Sequence, residues 1–345
     1  MGDAGVARAA PILAVRFDGE ALRAIDQTLL PWEYVELTLI DAAEVAAAIA
    51  RLAIRGAPLI GVAAAYGVAL ELERESTLQG LDRACRVLGD SRPTAVNLRY
   101  AIERVRDAAL AVPEERMAEA ALAEARAIET AEQAASAAMA ANGAELLAGT
   151  AAVLTHCNTG ALAAPGRGTA LAVIAELADR GTLTNVLATE TRPLLQGARL
   201  TAYELAALKI PHQLVVDSAA PALIAAGEVQ AVLVGCDRVA ANGDVANKVG
   251  TYSLALAAHA AGIPFVVVGP TSTIDLACAD GTQIVIEQRS ADEVRHAAGH
   301  PTAAAGTECR NPAFDVTPAH LIDALVTERG VARPPSAATI APLRR

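Results

Sequence analysis

AAVLTHCNTGALAAPGRGTALAVIAELADRGTLTNVLATE, residues 151–190, carries the pattern that decides the fold. A short apolar run, AAVLTHC, leads through a glycine-rich stretch into LAVIAELADRG, which has the length of a helix, and then into a second short run, TNVLATE. The rhythm continues through LTAYELAALKI, QLVVDS, APALIAAG, QAVLVGC, VANKVGTYSLALAAHAAG, IPFVVVG and QIVIEQ. Short strands alternating with helices of this length predict parallel pairing through right-handed crossovers, a doubly wound, Rossmann-like sheet. Functional residues of such a sheet lie at the carboxyl ends of its strands. The polar groups Thr155-His156-Cys157-Asn158, Glu190-Thr191-Arg192, Asp217-Ser218 and Asp237-Arg238 all fall there.

Upstream of residue 150 the rhythm differs. PILAVRF and LPWEYVELTLI, within residues 11–40, are broken by Asp-Gly-Glu and predict a small antiparallel sheet. From Asp41 the pattern turns helical, with Asp41 as N-cap, Gly56 as a stop and Pro58 opening the next helix. Further helices are predicted at 75–89 and 94–111. A long Ala/Glu-rich helix follows from about Pro113 to Ala141 and ends at Asn142-Gly143. It is read as a connector, which makes residues 1–128 an N-terminal β/helical domain and 129–345 a Rossmann-like catalytic domain. After Val331 the sequence reads as a loose Pro/Ala/Arg end.

Composition narrows the function classes. The 345 residues are 53% hydrophobic, enough for a sizeable core, and the net charge is -11 with 28 scattered Lys and Arg. A surface built to coat nucleic acid would cluster its cations, so no nucleic-acid partner is expected. Charges and prolines interrupt every apolar stretch before it could span a membrane, and MGDAGVARAAP lacks the pattern of a secretory signal. A cytoplasmic location is the expectation. The five cysteines are widely spaced with no CxxC or His-Cys cluster, predicting free thiols and no metal site. Neither GxGxxG nor a Walker A loop follows a strand, so no nucleotide cofactor is expected.

Individual residues then suggest chemistry. Cys157 at a strand tip can serve as base or nucleophile, or be a small buried apolar residue. His156 faces the opposite way by strand alternation and reads as a supporting group, whereas Cys236, facing away from Asp237, reads as a small buried apolar residue. Asp237 follows an all-apolar strand, where desolvation would keep it protonated as a general acid; a helix cap or an Arg238 ion pair is the plainer alternative. Asp244 reads as the cap of a helix starting near Val245, which puts Asn247-Lys248 in a first turn that attracts anions. Arg55-Gly56-Ala57-Pro58 repeats that design, and Arg92 precedes another helix. Three such sites on an acidic chain favour a small phosphorylated ligand. Gln196 reads as a sugar-hydroxyl partner, whereas Arg192 and Arg199 stand open between ligand and pairing with Glu190 or Glu204.

IRGAPLIGVAAAYG, RPTAVNL, LTHCNTGALA, ETRPLLQGARLTAYEL, GCDRVAANGDVANKVGTYSLA, IPFVVVGPTSTID and NPAFDVTP resemble the signature segments of the S-methyl-5-thioribose-1-phosphate isomerase family. That family is grouped with the regulatory subunits of translation initiation factor 2B and ribose-1,5-bisphosphate isomerase. The resemblance spans roughly residues 10 to 332 in order and spacing. It implies an aldose-ketose isomerase of methionine salvage, without cofactor, acting as a homodimer on a small phosphosugar. By motif it implies Cys157 and Asp237 as catalytic residues. Substrate contacts fall on Arg55, Gly56, Ala57, Arg92, Gln196, Asn247 and Lys248. Cys236 and Val239 depart from the expected Ala and Ile. The alternatives are the same chemistry on 5-deoxyribose 1-phosphate or ribose 1,5-bisphosphate, or a non-catalytic binding subunit.

Overall fold

The computed structural model describes residues 12–92 and 95–344. Strands Val15–Phe17, Leu22–Ile25 and Glu36–Leu39 form the expected antiparallel sheet, in that order. Helix Ala42–Ala50 follows, with the Asp41 carboxylate accepting from the Glu44 amide at 2.9 Å. The helix Ala57–Arg74 is apolar on all sides and buried for most of its length, the signature of a helix at the centre of a bundle. Leu78–Ser91, Val96–Leu110 and the first half of a long helix, Met117–Leu146, pack around it.

That long helix runs past Asn142-Gly143, where the sequence suggested a stop. Asn142 donates from Nδ2 to the Thr327 carbonyl at 2.9 Å, so it is held by the sheet and does not act as a helix terminator. The helix serves two cores. Met117, Ala121, Ala125 and Ile128 pack into the first, and Ala135, Met139 and Ala144 into the second.

The second core lies on a seven-stranded sheet. Its order is Gly330–Ala332, Ala324–Thr327, Phe265–Val268, Ala231–Val234, Ala152–Thr155, Asn185–Thr189, His212–Val215. All neighbours pair in parallel except the Gly330–Ala332 edge strand. The chain leaves Ala152–Thr155 toward Asn185–Thr189 and His212–Val215, then returns to the opposite side at Ala231–Val234. The strand order therefore reverses between Ala152–Thr155 and Ala231–Val234. This switch point opens a crevice at the carboxyl ends of those two strands, where Cys157 and Asp237 follow.

Three local readings are corrected. Val245–Lys248 is a strand, not the start of a helix, and pairs antiparallel with Arg238–Ala240 through the register Val239↔Val245. Asn242-Gly243 between them is a strong hairpin signal, and the Ala240 amide closes the loop on the Asp244 carbonyl at 2.9 Å. The helix begins at Thr251, and Asp244 instead accepts from the Gly281 and Ala319 amides at 2.9 Å each. The hairpin belongs to a small second sheet with Ile274–Asp275 and Phe314–Thr317. QIVIEQ forms no strand; Gln288 makes a single bridge with Pro312. In place of a loose end after Val331, the strand Gly330–Ala332 is followed by helix Ala337–Ile340.

Candidate active site

Cys157 sits two residues beyond its strand with φ +62°, a left-handed conformation uncommon for a residue with a side chain. Both of its backbone groups are fixed: its amide donates to Thr191 Oγ1 at 2.8 Å, and its carbonyl accepts from Thr201 Oγ1 at 2.5 Å. His156 is turned away from the thiol, with Nδ1 against Thr189 Oγ1 at 2.6 Å and Nε2 against the Val249 carbonyl at 2.9 Å. Burial lowers its pKa, so it is a neutral strut between the sheet and the hairpin.

Asp237 follows Ala231–Val234 after Gly235 and Cys236, and its amide donates to the Ala246 carbonyl at 2.9 Å. Asp237 is half-buried and lines a cavity. Burial accordingly pushes its pKa up, while Arg92, Lys248 and Arg55 pull it down and Glu287 pushes it up. The ion pair of Arg238 is with Asp275, at 3.6 Å. Cys236 points to Thr273 Oγ1 at 3.3 Å, and burial pushes its thiol up to about 12, leaving it unreactive near neutrality.

The cations arrive from three directions. Gly56, at φ +95°, turns the chain into the Ala57–Arg74 helix so closely that a Cβ would lie 2.2 Å from the Ala163 carbonyl oxygen. Arg55 just before it donates to Asn158 Oδ1 at 2.6 Å and to the Asn158 carbonyl at 3.1 Å. Arg92, at the end of Leu78–Ser91, reaches Glu287 at 3.5 Å. Lys248 comes from the hairpin strand, buried, with Nζ 5.5 Å from the centre of the Phe314 ring. Burial lowers its pKa, charge on Cys157 and Asp237 raises it, and Arg55 and Arg289 lower it further.

Arg55, Gly56, Arg92, Cys157, Gln196, Asp237 and Lys248 line one cavity, completed by Leu52, Leu194, Arg289, Ala313 and Phe314. Ala57 and Asn247 line an adjoining recess that also contains Cys157 and Asp237. The nine residues expected to be catalytic or substrate-binding thus line these two recesses, which share Cys157 and Asp237. Asn247 donates to Thr251 Oγ1 at 3.0 Å, and the buried Gln196 Oε1 has no protein partner, so it is available to a ligand hydroxyl.

The cluster of cations is built differently from the sequence expectation. One helix start, at Ala57, borders it, and Lys248 brings its charge from a strand. Arg192 and Arg199 are structural: Arg192 donates to the carbonyls of Pro193, Val294 and His296, and Arg199 to those of Leu194, Gln27, Thr28 and Leu30. Sequence reading missed Arg289, Glu287 and Phe314. Arg289 is clamped by Glu293 and Glu287; nothing in the local spacing of EQRS marks it. Among the described residues, no group of three or more His, Cys, Asp or Glu could hold a metal ion, and no helix is long and apolar enough to cross a membrane.

The chain and its fold have counterparts among known proteins. A methylthioribose-1-phosphate isomerase of Albidiferax ferrireducens is 50% identical over 343 residues, 97% of each chain. The crystal structure of 5-methylthioribose 1-phosphate isomerase from Pyrococcus horikoshii superposes with a TM-score of 0.91 at 38% identity, covering 97% of this chain and 96% of that one. That of the translation initiation factor eIF-2B, subunit delta, from A. fulgidus gives 0.86 at 37% identity, covering 96% and 99%. The model of the Initiation factor 2 subunit family matches residues 53–334. With that match across the bundle, the switch-point crevice and the hairpin, the chain belongs to the Initiation factor 2 subunit family.

Proposed function

We infer that the protein converts S-methyl-5-thioribose 1-phosphate to S-methyl-5-thioribulose 1-phosphate, an aldose-ketose isomerisation of methionine salvage. Near-full-length relatives carry that name. The observation that carries the reading is the convergence of Asp237, Cys157 and the cations Arg55, Arg92 and Lys248 on one cavity. A binding subunit has use for the cations; it has no use for a desolvated acid beside a thiol.

The substrate explains the arrangement. Phosphate on the anomeric oxygen locks the furanose, so the ring opens only when the C1–O4 bond breaks and O4 is protonated. Asp237, whose pKa burial raises, supplies that proton and regains one from the C2 hydroxyl as the C2 ketone forms. Cys157 as thiolate takes the C2 hydrogen as a proton and returns it to C1, so no proton is gained or lost overall. The cations hold the phosphate while this happens. A further recess that contains Asp237, Arg92 and Arg238 also has an apolar wall of Ala57, Ile60, Val96, Ile284 and Phe314, which suits a methylthio group. The neighbouring cavity contains Arg51, Arg55, Arg199 and Arg289, which are committed to Asp26, Asn158, backbone carbonyls and glutamates, so a second phosphate would have to compete with existing partners.

Turnover of purified protein on the 1-phosphates of S-methyl-5-thioribose and 5-deoxyribose and on ribose 1,5-bisphosphate, side by side, tests the assignment. The methylthio sugar should have the highest kcat/KM; a preference for the bisphosphate would overturn it. A homodimer and a cytoplasmic location belong to the same reading, and light scattering on the eluting protein tests the former.

A further inference from the structure

Glu204 lies under the cavity floor on the helix Ala202–Ala207, 2% exposed. Its carboxylate gathers three donors: Asn158 Nδ2 at 2.7 Å, the Ala161 amide at 2.7 Å and the Leu162 amide at 3.4 Å. The packing is close enough that a Cβ on Gly160 would fall 2.3 Å from Glu204 Oε2. Burial pushes the group up to about 7, and Arg55 is the cation that pulls it back. A core carboxylate is costly, and an apolar residue would fill the space without that cost.

Asn158 connects Glu204 to the cavity wall. Both Glu204 oxygens already accept from amide N–H groups, so the Asn158 side chain is fixed with NH2 toward Glu204. The amide oxygen is then turned to Arg55, which donates to it at 2.6 Å and to the Asn158 carbonyl at 3.1 Å. With the amide reversed, two donors would face each other and the guanidinium would lose its shorter bond. We propose that Glu204 is a positioning residue for the isomerisation: through Asn158 it holds the Arg55 guanidinium in place to receive the sugar phosphate. The proposal rests on the reading of Arg55 as a phosphate contact.

The test is a double-mutant cycle with S-methyl-5-thioribose 1-phosphate as the probe. Glu204→Gln keeps the shape but turns an NH2 toward one of the three donors, and should raise KM about tenfold with kcat within about twofold. Arg55→Ala should raise KM by itself. In the double variant Glu204→Gln should add nothing further, because the group through which it acts is gone. If Glu204→Gln does not fold, Asn158→Ala takes its place with the same expectation, since Glu204 then keeps its two backbone donors. The proposal is overturned by an unchanged KM with Glu204→Gln, by equal losses in kcat and kcat/KM, or by an additive double variant. If Arg55→Ala leaves KM unchanged, the reading of Arg55 fails and the proposal falls with it; if Arg55→Ala raises KM and Glu204→Gln does not, the proposal alone fails.

Discussion

Replacing Asp237 by Asn separates its two possible states, neutral acid and ion-paired carboxylate. Asparagine has the same shape, so the backbone bond to Ala246 and the cavity wall should persist. If Asp237 is neutral in the free enzyme, the substitution changes no charge beside Arg92, Lys248 and Arg55, and KM should move little. What is lost is a transferable proton. General acid catalysis contributes about 10² to 10⁴ in rate, or about 2.7–5.4 kcal/mol. Lys248 stays in the same wall as a second protonated group with its pKa lowered by burial, which favours the smaller part of that range, about 10² to 10³ in kcat. The assay is steady-state kcat and KM, with conversion followed by NMR. A kcat within threefold of the parent would refute the acid role.

Stability gives a second readout of the same variant. The folded-state pKa of Asp237 lies above its ordinary 3.8. Such a carboxyl contributes most below the unfolded value, and stability declines as pH rises through the folded one. Asp237→Asn removes that decline, so its Tm above neutrality should equal or exceed the parent's. A clear drop in Tm at pH 8 would mean that Asp237 is ionised and held by Arg92 and Lys248, and the acid would have to be sought elsewhere. The same sign predicts an alkaline fall in the parent's kcat as Asp237 loses its proton.

The other expectations follow from neighbouring residues. Cys157→Ser should lower kcat by about 10² because a hydroxyl is a far weaker base than a thiolate, whereas Cys236→Ala, whose sulfur faces Thr273, should retain most activity; the reverse pattern in a paired assay would refute the assignment. Lys248→Met keeps the buried volume and removes the charge, so KM should rise with little change in kcat, and in the parent KM should rise on the alkaline side as Lys248, its pKa lowered by burial, becomes neutral. Asp315, displaced upward to about 6, accepts from the Gly250 and Tyr252 amides; its contribution is full below pH 3.8 and falls by on the order of 3 kcal/mol as pH rises through 6, and denaturant titrations of Asp315→Asn should show that slope reduced.

The sequence made the strand-helix rhythm after residue 150 legible because strands buried on both faces are continuous apolar runs, and a parallel sheet demands crossovers between them. Cys157 and Asp237 were legible for the same reason, as chemistry-bearing residues just beyond such runs. VANKVGTYSL was misread because Val, Ala and Asn-Lys suit a helix start as well as a strand; the decision lay in Asn242-Gly243 and in pairing with Phe314–Thr317, some seventy residues later. Arg289, Glu287 and Glu204 stayed hidden for a related reason. Glu204 meets Asn158 across 46 positions, and Arg55 meets Asn158 across 103. No local window contains both members of such a pair.

The misreading also changes the physics of anion binding. Two helix N-termini would attract phosphate through backbone amides and dipoles, which need no side chain to be held in place. With Lys248 on a buried strand, one helix start remains, and under the inferred function the rest of the attraction would come from side chains fixed by the fold: Arg55 on Asn158, Arg92 near Glu287, and Lys248 against Phe314. Each cation is held by a contact that is not itself basic. Affinity for the phosphosugar should therefore be sensitive to these acceptors and to the aromatic ring, residues that a search for positive charge passes over.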